Sequence, residues 1–185
     1  MQTDVTTRHR TASKPGERPA AEGWRGLFHR LFGGGKTMAI LAKGGCRCDT
    51  NPVRYEYNAE PAEVHYCLCT DCTDTCGGAL ALIAVVERSA FKVTQGEDKI
   101  HNYDTKPTCH RRFCKDCGCH MFLYVDAFPD HILIHVPTLD RDADVGAKPD
   151  RWVFVNSKHP MVTIPDDGLP RHPGWAGSGD PVQAA

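Results

Sequence analysis

The sequence predicts a single, mainly β domain with short helical turns. Three observations predict it. Short segments alternate apolar and polar residues between turn signals, no stretch sustains helical periodicity, and the cysteines fall in close groups that can staple such a fold. A length of 185 residues suits one domain with tails.

Residues 1–38 read as an N-terminal tail. Lys14-Pro15-Gly16 and Gly33-Gly34-Gly35 mark polar, proline- and glycine-rich chain that buries too little surface to fold. Inside it, Trp24 to Phe32 could form an amphipathic turn that touches a membrane, a partner or its own domain. One short turn is marginal as a helix, and the segment reads as an incidental apolar patch. Asp4, Glu17 and Glu22 argue against a transit peptide. Met38 opens the segment that reads as domain, residues 39–169.

Within the domain, Asn51-Pro52 is a turn signal and Val53 to Tyr57 alternates as a half-buried strand does. Val64 to Cys67 leads into the densest cysteine group. Gly77-Gly78 opposes one long helix, and the β-branched end of the run Ala79 to Val86 favours a buried strand. Phe91 to Thr94, Lys99 to Tyr103, Cys109 to Phe113, Met121 to Val125, His131 to Val136 and Arg151 to Val155 are the remaining strands. Residues 170–185, rich in Pro, Gly and Asp, read as a C-terminal tail.

The formal net charge of −1 gives no overall pull towards nucleic acid or anionic lipid. No apolar run approaches membrane-spanning length, and no secretory signal pattern is present. No nucleic-acid or membrane partner is therefore expected; the expected partner is a small-molecule thiol or thiol adduct, and cysteines kept for metal rather than disulfides point to the cytoplasm as the expected compartment. A homo-oligomer is compatible with the sequence.

Ten cysteines in a disulfide framework would suit a secreted chain. Close C-x-C and C-x-x-C pairs without a secretion signal suit metal chelation instead. Zinc takes soft, deprotonated ligands in a tetrahedron. Cys46 and Cys48 are i and i+2 and offer two sulfurs on one face of extended chain. Cys114 and Cys117 are spaced for a tight turn, with Gly118 to relax the backbone after it. Together the four predict a closed, structural zinc site, in which Cys119 could stand in for Cys117. Cys67, Cys69 and Cys72 predict a second zinc site with three protein ligands and an open position, the catalytic pattern. The rival reading makes this a second structural site, completed by Cys76 one helical turn after Cys72. Cys109 and Cys119 read as small buried side chains. His131 and His135 share a strand face, which reads as a polar surface.

At these residues the chain resembles the glutathione-dependent formaldehyde-activating enzyme family, which includes centromere protein V. The matching stretches are Gly45-Cys46-Arg47-Cys48, Cys67-Leu68-Cys69-Thr70-Asp71-Cys72 and Arg112-Phe113-Cys114-Lys115-Asp116-Cys117-Gly118. The similarity runs from about Ala39 to Leu169, with Trp152 to Pro165 resembling the family's closing segment. The resemblance implies a β-tent-like fold with two zinc ions. One would be structural, on Cys46, Cys48, Cys114 and Cys117, and one catalytic, on Cys67, Cys69 and Cys72. It also implies carbon–sulfur lyase chemistry that joins formaldehyde to glutathione as co-substrate. The chain departs from the family pattern at Asp49, where glycine is usual, at Leu68, where histidine is usual, and at Cys119-His120, where a small or hydroxyl residue follows the last pair.

The expected reaction places a thiol, or its adduct, at the open zinc position and a carbonyl carbon beside it, with a general acid–base for the carbonyl oxygen. Asp71, His65 and His120 are the candidates nearest in sequence, and the sequence does not choose among them. Two other readings stand beside this one: the same fold acting on another thiol adduct or small metabolite, and a non-catalytic zinc module that binds a protein partner. For a nucleic-acid surface, the chain offers only the small basic group Lys106 and His110-Arg111-Arg112.

Overall fold

The computed structural model describes residues 42–106 and 108–175, with the side chains at 105 and 106 excepted. The expected N-terminal tail, with its apolar patch, and the C-terminal residues from 176 on lie outside the described residues.

Strand follows strand with one helix between them. The strands are β1 (Ala42–Gly45), β2 (Arg54–Tyr57), β3 (Glu63–Cys67), β4 (Ala81–Glu87) and β5 (Phe91–Gln95). They continue with β6 (Ile100–Lys106), β7 (Cys109–Cys114), β8 (His120–Val125), β9 (His131–His135) and β10 (Trp152–Val153). The helix, α1 (Thr70–Cys76), lies between β3 and β4. The mainly β expectation is met, and each expected strand is present with small shifts at its ends.

The strands form a three-stranded sheet, in the order β1-β2-β5, and a seven-stranded sheet, in the order β10-β3-β4-β9-β8-β7-β6. All pairings are antiparallel except that of β10 with β3. Alternation sorts each strand of the large sheet into two faces. Val86, Phe122, Ile132 and Ile134 pack with Ala42, Val53, Tyr55 and Tyr57 of the small sheet and its approach. Tyr55 anchors this core: its ring lies 5.4 Å from Phe91 and 5.7 Å from Phe122, and its hydroxyl is 2.5 Å from Thr138 Oγ1.

The opposite face of the large sheet carries Ile83, Val85, Leu123 and Leu133, together with Cys67 and Cys72. Residues directly opposite in an antiparallel pair share a face. The cross-strand rows on this side therefore run Arg111–Leu123–Leu133–Val85–Glu63 and His135–Ile83–His65. Polar side chains are thus set into an apolar face, where the site lies.

A third cluster closes the β10 edge. Leu68, Trp152 and Val155 are buried there, with Tyr66 stacked on Trp152 at 4.3 Å. The chain beyond Leu169 stays on the domain as far as it is described. His172 N donates to Trp152 O at 2.8 Å, Phe154 N donates to Gly174 O at 3.1 Å, and the Trp175 ring meets His65, Phe128 and Phe154. Residues 170–175, read from sequence as the start of a tail, form a strap along β10.

Candidate metal centres

Cys46 follows β1, where the chain turns sharply beside Val53. Its amide donates to Val53 O at 3.0 Å, and the Val53 amide donates to Cys46 Sγ at 3.1 Å. Gly45 is required here, since a Cβ would collide with the Val53 carbonyl oxygen. Cys114 ends β7, and Cys117 sits in the turn to β8. Cys114 N donates to Cys119 O at 3.0 Å and Gly118 N to Cys114 O at 2.8 Å, with Gly118 at a φ of 70°.

The sulfurs of Cys46, Cys48, Cys114 and Cys117 all lie within 4.8 Å of one another, and Cys48 and Cys114 are 3.7 Å apart. A tetrahedral ion with Zn–S bonds near 2.3 Å puts its sulfurs about 3.8 Å apart, so the donor set fits zinc. Cys119 is absent from this group, so Cys117 keeps its place. Burial pushes the Cys117 thiol up, but the Cys119 and Arg47 amides outweigh it and bring the pKa down to about 7. A thiolate at that position is the ligating form.

The second group arises where β3 runs into α1. Cys67 ends the strand and Cys69 N-caps the helix, its sulfur accepting from Cys72 N at 3.4 Å. Gly77, at a φ of 60°, closes the helix with its amide on Thr73 O. Leu68 points the other way and is fully buried against Trp152 and Val155. The sulfurs of Cys67, Cys69 and Cys72 lie within 4.8 Å of one another. The hydrogen bonds of Cys67 and then Cys72 hold the Cys69 thiol well below its ordinary range, and the Cys72 amide and Arg111 add to this.

Sequence reasoning missed Arg111. It read as part of a basic surface group, but its side chain is 1% exposed on the inner face of the large sheet. Its Nε and Nη1 have no hydrogen-bond partner among the described residues, and Cys72, Cys109 and Cys69 keep it charged against the cost of burial. The signal was strand alternation: in β7, Arg112 lies over the Tyr124 ring on the face of Phe122, so Arg111 lies on the opposite face with Leu123. His110 is no free cation either, since it is 3.1 Å from Asp104 and 2.9 Å from Asp126.

Of the three acid–base candidates, His65 is set apart from the other two. His65, read from sequence as a solvent-face side chain, is fully buried beside Glu63 at 2.9 Å, with the Trp175 ring of the C-terminal strap against it. Asp71 and His120 line an open cleft of about 470 Å³ along α1, with Asp74, Thr75, Tyr103 and Phe113. Cys76 is not in the three-cysteine group. It meets His120 and His135 instead. His135, expected on a polar surface, is 5% exposed, because the face it shares with His131 is covered at its end. Burial, then His120 and Arg111, push the His135 pKa down to about 3; burial, then Arg111, push that of His120 down to about 4. Among the described residues, no helix is long and apolar enough to cross a membrane.

The chain is similar to a protein of Colletotrichum graminicola named "Putative glutathione-dependent formaldehyde-activating enzyme". The two are 34% identical over 115 residues, 60% of this chain and 59% of that one. A relative of the same name from Aspergillus terreus is 34% identical over 100 residues, 52% of each chain. The chain thus spans about half the length of the curated relatives it matches. A crystal structure of a Rhodobacter sphaeroides protein is 25% identical, with a TM-score of 0.47, over 60% of this chain and 99% of that one. The family model described as glutathione-dependent formaldehyde-activating enzyme matches residues 41–157, well over half of the sequence, and the chain belongs to that family.

Proposed function

We propose that the protein is a zinc-dependent enzyme of carbon–sulfur lyase type, joining a thiol to formaldehyde or cleaving the adduct, with Cys67, Cys69 and Cys72 as the ligands of its catalytic zinc. The observation that carries this reading is the donor count. Three sulfurs converge within 4.8 Å, while Cys76, the one cysteine a helical turn away, is engaged elsewhere. Three protein donors leave one position for a substrate. Cys46, Cys48, Cys114 and Cys117 supply the closed, structural zinc. The names of the relatives support glutathione as the thiol.

When bound, zinc supplies the Lewis acidity that lowers a thiol pKa and orients it. The chain does the rest. Cys67, Cys69 and Cys72 would hold the ion at the N-terminal end of α1, leaving its fourth position for the thiol. Arg111 balances the negative charge of a sulfur-rich site from its buried position. In the forward direction the S–C bond forms, the carbonyl π bond breaks, and the proton leaves sulfur for the new hydroxyl oxygen. Asp71, in the first turn of α1 and on the cleft, is the carboxylate assigned to move that proton.

The test is exchange spectroscopy on glutathione and formaldehyde, with S-hydroxymethylglutathione as product. Wild-type protein should accelerate adduct exchange, and Cys69→Ser should abolish the acceleration while the domain still melts cooperatively. Exchange no faster than in buffer would overturn the reading.

One observation favours a different thiol in the same reaction. Asp71 and Asp74 line the cleft along α1, and a thiol that enters by this cleft meets two carboxylates, which repel those of glutathione. Cysteamine, a cationic thiol, should then react about two- to fivefold faster relative to glutathione in wild type than in Asp74→Asn, as expected for exposed charge pairs. An identical ratio in both chains would remove Asp74 from thiol selection.

A further inference from the structure

Cys72 and Cys76 are i and i+4 on α1, one turn apart on one side of the helix. Their sulfurs nevertheless serve different groups. Cys76 Sγ lies 3.5 Å from His120 Nδ1, 3.7 Å from His135 Nδ1 and 3.9 Å from His135 Nε2. The two rings are 4.3 Å apart, and the sulfur and one nitrogen of each ring fall within 4.8 Å of one another. Three elements contribute: the last residue of α1, the first of β8 and the last of β9.

Hydrogen bonding alone accounts poorly for this arrangement. A thiol has one proton to give, yet both imidazoles face the same sulfur. His120 Nε2 is buried without a hydrogen-bond partner among the described residues, and the ring of His135 has only Cys76. A tetrahedral ion with Zn–S near 2.3 Å and Zn–N near 2.0 Å places sulfur and nitrogen about 3.5 Å apart, close to the spacings found here.

We propose that Cys76, His120 and His135 form a third metal site, separate from the two cysteine clusters, for a borderline divalent ion of the zinc and cobalt(II) class. One thiolate and two imidazoles select this class over hard, oxygen-seeking cations. A single thiolate leaves the ion with a charge of about +1, against −1 on three thiolates, so it is the stronger Lewis acid of the two open sites. His120 faces the cleft along α1, which gives the fourth position access to water or a small ligand.

Equilibrium dialysis of the full chain against cobalt(II), with bound metal counted and its absorption recorded, tests the proposal. Wild type should bind one equivalent more than Cys76→Ala and one more than His120→Gln. The additional ion should show weaker sulfur-to-cobalt charge transfer than the others, since it has one thiolate. Cys76 is solvent-exposed at the helix end and alanine favours helix, so Cys76→Ala keeps the fold, and a cooperative melt verifies this. Equal metal counts in all three chains would overturn the site and leave Cys76 as a hydrogen-bonding partner of the two histidines. The count is a difference between chains and does not depend on whether the three-cysteine cluster is catalytic.

Discussion

Cys114→Ser is expected to abolish cooperative folding of the domain. The four sulfurs join parts of the chain that the sheets alone hold weakly. Cys46 and Cys48 follow a strand of the three-stranded sheet, whereas Cys114 ends a strand of the seven-stranded sheet and Cys117 sits in the turn after it. The cluster therefore clamps one sheet to the other at the edge of their shared core, and Cys114 is fully buried within it. Zinc binding at sites of this kind contributes about 10–16 kcal/mol at neutral pH, whereas whole domains are stable by about 5–15 kcal/mol. A serine hydroxyl is a poor replacement for a thiolate on zinc. Thermal unfolding followed by circular dichroism should show no cooperative transition for Cys114→Ser, nor for wild type stripped by a strong chelator. Cys69→Ser should keep its transition, because its cluster joins adjacent turns of one segment. If Cys114→Ser melted as wild type does, the four-cysteine group would not be the staple. If both variants unfolded alike, the division into structural and catalytic clusters would fail.

The two cysteine pairs and the three-cysteine run were legible in the sequence because each is written in local spacing, whereas the joining of Cys46 and Cys48 to Cys114 and Cys117 spans 66 positions. Strands were legible for the same reason: alternation in Val64 to Cys67 or His131 to Val136 is written in consecutive residues. Features set by distant partners were not. β1 is Ala-Lys-Gly-Gly, which carries no alternating apolar signal, and it is a strand because β2 offers a partner edge. The helix α1 has seven residues and no apolar stripe, and its ends are set by the Cys69 and Gly77 caps. His131 and His135 do share a face, as alternation requires, but only the packing of α1 shows that this face is covered at its His135 end. Cys76 seemed a candidate fourth ligand for Cys67, Cys69 and Cys72, since i and i+4 lie together. The histidines that engage it come from residues 44 and 59 positions away, a distance that no local pattern spans.

Arg111→Met should weaken metal binding at Cys67, Cys69 and Cys72 about 10- to 100-fold, the range for partners that tune a site without ligating the ion. A guanidinium that is 1% exposed, with two nitrogens unpartnered, is costly unless negative charge lies close by. Cys72 and Cys69 supply that charge only as thiolates, so arginine and thiolates favour each other. The sign follows directly. Arg111 lowers the Cys69 pKa, so its removal raises that pKa, and more work is then needed to deprotonate the cluster when a metal binds. Methionine fills similar space without charge, and replacing a buried ion by an apolar group of like volume commonly leaves stability intact. The loaded domain should therefore still melt cooperatively, and the four-cysteine metal should be retained. Competition with a chromophoric chelator measures both affinities in one titration. Arg111→Lys should restore part of the lost affinity, since it returns the charge without the planar fork. An unchanged affinity in Arg111→Met would show that the thiolates do not need the buried cation, and its burial would then lack an electrostatic cause.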